Sequence, residues 1–346
     1  MPNFKTVSFR ATLCLLLLFP GYCQIASAQS AETGSSEFAG SWFANIFTAF
    51  YYSPGNRVMP SKGFELSTGL IGYRAEWGKR ARATIIYDVY RTTDNFVITD
   101  QSGDTLKASW FRGSDYTGFL KMAQVDFTVT SWLEISAGQL LNQQYLTYQD
   151  KFWGFRYIST TFQELYRFGS PADFGARVTI KPHRSLATSL NIVNGNGPFR
   201  MQSADGRLQY ALNVEWSPAA GIIVKLFADH MAASGKPNRN AISFFTGYRT
   251  EKWRLGFEAN MVKNHLFDES TDMSGVSSYG AVRIADGWHF LFRHDYIANS
   301  LALRRDHYVI TGVEYEPYDG LFTSLNWRYL SEGNVSWLYA SLGAKF

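Results

Sequence analysis

The sequence predicts an all-β fold, a transmembrane antiparallel β-barrel of sixteen strands. Three observations carry this prediction. Apolar and polar residues alternate at every second position in run after run from about residue 39 to the end. The connections between those runs are short and long in strict turn. No segment is apolar enough for a membrane helix: 221–231, the nearest, is broken by Lys225, Asp229 and His230 and falls short of the roughly 18 apolar residues required.

Composition narrows the class before any motif is read. The 346 residues include 27 Phe, 20 Tyr and 10 Trp, and such aromatic content excludes an intrinsically disordered chain. A formal net charge of +4 is too small for nucleic-acid binding driven by bulk charge. Two cysteines supply neither a disulfide scaffold nor a multi-cysteine zinc site. Both lie in an N-terminal segment that reads as an export signal. Lys5 and Arg10 form its basic start, 11–19 its apolar stretch, and Ala26-Ser27-Ala28 its cleavage site. The expected organisation is a signal peptide at 1–28, a short periplasmic segment at 29–38 and a barrel at 39–346.

The runs fall near 39–52, 63–77, 81–91, 115–129, 132–141, 172–181, 185–194, 207–216, 221–231, 241–250, 253–262, 277–285, 288–298, 305–316, 320–330 and 335–346. In 253–262, Trp253, Leu255, Phe257, Ala259 and Met261 alternate with Arg254, Gly256, Glu258 and Asn260. Successive strand residues point to opposite faces, so one face is apolar and the other polar or small. Runs 64–77 and 277–285 alternate least cleanly.

Two- to four-residue turns alternate with the longer connections 53–62, 92–114, 142–171, 195–206, 232–240, 263–276 and 299–304; a short 331–334 comes last. A transmembrane barrel has this asymmetry, with short periplasmic turns and longer extracellular loops. Trp77, Trp132, Trp216, Trp253 and Trp288 each abut a short turn, and Trp42 opens the first strand on the same side. This is the aromatic girdle of a membrane interface. Because lipid offers no partner for an unpaired strand edge, the sheet must close on itself. Sixteen strands leave an aqueous lumen, which the polar face lines. These features describe a channel.

The signal, the strands and the terminal Phe346 after Leu342-Gly343 resemble a bacterial outer-membrane porin. More narrowly, the order Gly138-Gln139, Phe152-Trp153-Gly154-Phe155-Arg156-Tyr157-Ile158, Asp173-Phe174-Gly175 and Asn194-Gly195-Asn196-Gly197 is similar to the superfamily containing the phosphate-selective porins O and P. The resemblance implies passive diffusion of small hydrophilic solutes, including anions such as phosphate, and a homotrimer in outer-membrane lipid. It also implies that the barrel-assembly machinery reads Phe346 as a sorting mark. It further places the third long loop, 142–171, inside the lumen. There Lys151, Arg156 and Arg167, with Asp150 and Glu164, are expected to set the charge of the constriction. Thr161 and Glu164 have capping-box spacing, which predicts a short helix to about Phe168.

Strand parity places Arg82, Arg177, Lys225, Arg283 and Arg293 on the lumen wall, among eleven inward basic and eleven inward acidic residues. Rings of one sign make a pore selective, and this balance shows none. Each such charge can equally pair with a cross-strand neighbour.

Catalysis is poorly served. Asp229-His230, His294-Asp295 and Asp306-His307 are adjacent pairs whose members point to opposite faces of a strand. His289 and His294 also differ in parity, which weakens a metal reading. Neither a Gly-rich phosphate cradle nor a G-x-S-x-G elbow occurs. No enzyme, metal or cofactor is expected. A porin in the outer membrane is the leading reading. The alternatives are a barrel that binds or adheres through loops 92–114 and 142–171, and an outer-membrane hydrolase using His230 or His307.

Overall fold

The computed structural model describes residues 38–55, 60–91, 116–144, 148–299 and 304–346. The expected signal, all but the last residue of the expected 29–38 segment, and the 92–114 connection lie outside the described residues.

Alternation is realised as antiparallel strands. The first eight are β1 (Phe38–Tyr52), β2 (Lys62–Trp77), β3 (Ala81–Arg91), β4 (Tyr116–Thr130), β5 (Leu133–Leu141), β6 (Ala172–His183), β7 (Leu186–Val193) and β8 (Gln209–Trp216). Then follow β9 (Ile222–Met231), β10 (Arg239–Arg249), β11 (Trp253–Lys263), β12 (Met273–Ala285), β13 (Trp288–Asn299), β14 (Arg304–Tyr318), β15 (Leu321–Leu330) and β16 (Val335–Lys345). Each pairs with its sequence neighbours, and β1 pairs with β16 from Asn45↔Lys345 to Tyr52↔Leu338, which closes the barrel. Phe346 extends that seam: its backbone N–H and C=O exchange hydrogen bonds with Ala44 at 3.0 and 2.6 Å.

Burial is inverted relative to a water-soluble protein. Along β11, Leu255, Phe257 and Met261 are exposed, whereas Gly256, Glu258, Asn260 and Val262 are buried. The outer face is the one a hydrocarbon solvent would cover. The five tryptophans beside the short turns all stand on it, between 41% and 50% exposed, and Trp42 joins them at 71%. Girdle rings meet across strands, Trp288 stacking on Tyr315 at 4.6 Å and Trp42 against Tyr73 at 4.8 Å.

The two least regular runs have physical explanations. The β1–β2 register shifts between Phe47 and Thr48, skipping Ser67, so β2 changes parity halfway along. The strand expected at 277–285 begins four residues earlier, at Met273, and shifts register again between Arg283 and Ala285. Its first turn of chain puts Met273 and Gly275 inward, reversing the usual sense of the pattern. A similar shift between Ile86 and Tyr87 leaves Lys121 of β4 without a partner in the ladder and turns it into the lumen, against simple parity.

A closed sheet resists detergent until heated. Unboiled protein should therefore migrate in SDS gels at a different apparent mass from boiled protein, and identical migration would contradict closure.

Candidate functional site

The described residues of 142–171, after β5, turn into the barrel. Their regular elements are α1 (Tyr148–Trp153) and α2 (Phe162–Leu165), both far too short to be stable alone. The wall therefore shapes the loop, in three ways.

Rings come first. Phe152, Trp153, Phe155, Tyr157 and Ile158 are all at most 4% exposed, packed with inward-facing Phe47, Phe245, Tyr279, Ala281, Leu291 and Ile310. A second cluster joins Phe162 and Phe168 to Ala241, Val262, Met273 and Ile297. The wall supplies notches for these rings. A Cβ on Gly247 would lie 2.5 Å from Phe152, one on Gly275 2.6 Å from Phe162, and one on Gly343 3.0 Å from Tyr157. Only glycine leaves room at the first two positions without the ring moving.

Buried cations that donate to loop carbonyls come second. Lys225 of β9 reaches the carbonyls of Gln143 and Gln144 and the Gln149 Oε1 at 2.7 Å. Arg239 donates to Phe168 O at 2.8 Å, Arg254 to Trp153 O at 2.9 Å and Arg328 to Ile158 O at 2.6 Å. Arg293 donates to Thr160 O and holds Asp295 at 2.7 Å. At the root of the loop, Arg177 donates to Leu141 O and to Asn191. Two further side-chain bonds complete the docking: Tyr157 Oη donates to Glu314 at 2.7 Å and Gln163 Nε2 to Asn260 at 2.6 Å. Burial, with the charge of Glu314 beside it, pushes the Tyr157 hydroxyl far above its usual pKa, so it remains a donor.

The third is the charged edge of the loop itself. Arg156 donates to both Glu164 oxygens, at 2.6 and 2.7 Å, and to Asp150 at 2.9 Å. Burial alone would lower the arginine and raise the glutamate. The mutual attraction outweighs it, holding Arg156 well above and Glu164 below their usual values. Lys151 and Arg167 are exposed, Arg167 with a left-handed backbone at φ 58°. Because the loop is fixed to β9–β16 and β1, this edge stands before the remaining wall, where Lys121 of β4 acts electrostatically on Glu164.

Several sequence expectations change here. Thr161 takes the extended conformation of an N-cap but makes no capping bond, and the Glu164 carboxylate that a capping box would return to the Thr161 N–H goes to Arg156. The helix stops at Leu165 rather than near Phe168, ahead of the left-handed Arg167. Arg177, Lys225 and Arg293, expected on the open wall, are 8%, 1% and 1% exposed and anchor the loop instead. Arg82 does stand on the exposed lumen side, paired with Asp126 at 2.9 Å, and Arg283 lies at the turn end beside Asp286. Parity missed Lys121, bonded to Asp88 at 2.7 Å, because of its bulge, and Arg239, because its strand starts two residues early. Gly247 and Gly343 were readable as small inward residues but without their partners, whereas Gly275 fell in the expected connection 263–276. The Asp–His neighbours do split across the wall. Asp229 is buried against Arg239 while His230 faces outward to Asn240, and Asp295 is inward while His294 pairs outside with His307 at 3.0 Å.

Solved structures share this architecture. An anion-selective porin from Comamonas acidovorans superposes with a TM-score of 0.65 at 11% identity, over 90% of this chain and 100% of that one. OmpF of Salmonella typhi, in complex with daunomycin, gives 0.63 at 8% identity, over 89% and 97%. OprB of Pseudomonas putida gives 0.55 at 10% identity, over 89% and 92%. The chain thus has the closed sixteen-stranded barrel of bacterial outer-membrane porins. No protein family model matches it, the O and P superfamily included, and it matches no curated protein sequence.

Replacing Lys225 with Met would leave the Gln143 and Gln144 carbonyls and Gln149 without their buried donor, weakening loop docking by roughly 2 kcal/mol or more. Trypsin should then cut the folded barrel at Lys151, Arg156 or Arg167 at least ~tenfold faster than wild type. An unchanged rate would show that Lys225 does not hold the loop.

Proposed function

We propose that this chain is exported, loses a signal peptide after Ala28, and forms a water-filled channel in the bacterial outer membrane for passive diffusion of small hydrophilic solutes. The observation that carries this reading is the inverted barrel, apolar outside and polar inside, whose third long loop occupies one side of the lumen. The passage runs between the loop edge, with Asp150, Lys151, Arg156, Glu164 and Arg167, and the polar wall of β2–β6. The likeness to solved porins supports it.

Selectivity is weak, with a modest preference for anions. On the facing wall three ion pairs stand, Arg82 with Asp126, Lys121 with Asp88 and Lys181 with Glu134. The Asp150–Arg156–Glu164 group is one charge negative, and Lys151 and Arg167 tip the edge to net positive. This leaves no surplus large enough for phosphate specificity. Catalysis has no part in this reading. Assembly into homotrimers, and recognition of Phe346 by the barrel-assembly machinery, follow the porin pattern.

Refolded protein in a planar bilayer should give discrete conductance steps, and none from demonstrably folded protein would overturn the channel reading. Lys151→Glu should move the reversal potential in a potassium chloride gradient toward cation preference. Deleting Phe346 removes two seam hydrogen bonds and an exposed ring, so outer-membrane levels should fall several-fold; unchanged levels would remove its sorting role.

A further inference from the structure

The lumen answers most of its buried charges locally, with carboxylates for Lys121, Arg239 and Arg293 and with loop carbonyls for Lys225 and Arg328. One place sets two cations side by side. Arg249 at the end of β10 and Arg254 near the start of β11 are direct cross-strand partners on the lumen side. Like charges directly opposite one another work against strand pairing. Among the described residues, neither has a carboxylate within ion-pair distance.

The two arginines border a cavity of about 470 Å³ beside the short turn, which Lys252, His289, Glu251 and Glu316 also line. Arg254 is held in place: it donates to Trp153 O at 2.9 Å and lies over the Phe155 ring at 5.0 Å. Arg249 is exposed. Of the carboxylates, Glu316 accepts the Gly320 N–H at 3.4 Å. Glu251 lies in the turn itself.

We propose that this cavity is a binding subsite for a small doubly charged oxyanion at the turn-side mouth of the lumen. An anion seated between two guanidinium groups removes their repulsion and receives planar forks of N–H donors, the geometry that suits oxyanions best. The fixed Arg254 supplies one fork at little entropic cost, and Arg249 closes on the anion from across the ladder. The subsite lies at the turn end of β10 and β11 and shares Arg254 with the loop anchor at Trp153.

The test is equilibrium dialysis of labelled sulfate against the detergent-folded barrel at low ionic strength, with folding of each variant confirmed by heat-dependent gel migration. Wild type should bind about one sulfate per chain saturably. Arg249→Gln, which loses a charged donor, should weaken binding about tenfold or more. Lys79→Gln, which removes the same charge from a turn outside the cavity, should change it less than about twofold. Lack of saturable binding by wild type, or equal loss in both variants, would overturn the subsite, the latter by reducing it to bulk charge. Dialysis requires no current through the barrel, so its result is separate from that of the channel reading.

Discussion

Everything in this structure follows from the rule that a strand in hydrocarbon cannot leave its backbone groups unpaired. The sheet satisfies it by closing β1 onto β16, and the last residue is recruited to the seam through Ala44. Closure fixes the parity of every strand, and with it which side chains meet lipid and which meet the interior. A barrel built this way has little apolar core of its own: most of its large apolar residues face outward, and much of its interior is Thr, Ser, Asn, Gln and charges. The apolar interior it does have is assembled locally, where the third loop brings rings to inward Phe47, Phe245, Leu291 and Ile310.

That local core explains why so many cations are buried without being wasted. Removing an ammonium or guanidinium from water costs several kcal/mol unless every donor is used. Here the loop, made mostly of irregular backbone, offers carbonyls that have no helix or ladder to satisfy them. Lys225, Arg239, Arg254, Arg293 and Arg328 meet that need from five strands. The wall's charge and the loop's unpaired backbone solve one another's desolvation, which is why basic residues concentrate under a loop whose own chemistry is aromatic.

Strand order, closure and the outward girdle were legible because a period of two is a local property that the lipid-facing surface imposes along most of each strand. The breaks in legibility are equally physical. Ser67 and Lys121 sit at register shifts, where one extra residue exchanges inside for outside. Met273 and Gly275 hide the start of β12 because they face a ring rather than water. For Arg177, Lys225 and Arg293, parity named the correct face but not what lay opposite, since a one-dimensional pattern does not distinguish water from a loop carbonyl. Thr161 and Glu164 had the spacing of a capping box. A charge eight residues back in the chain, Arg156, outcompeted a backbone N–H for the carboxylate.

The mode of anchoring also separates the position of the loop from its selectivity. The five cations grip it through main-chain oxygens, and the glycine notches accept rings on the same buried side. None of these contacts uses the side chains of Asp150, Lys151 or Arg167, and the ion pairs of Arg156 are with Glu164 and Asp150. Substitutions along the exposed edge can therefore change the sign and strength of the field at the loop surface while the loop stays docked. Changes to the wall cations or notch glycines act instead on how firmly the loop is held. A single loop thus carries two nearly independent controls, one set by its backbone and one by its outward side chains.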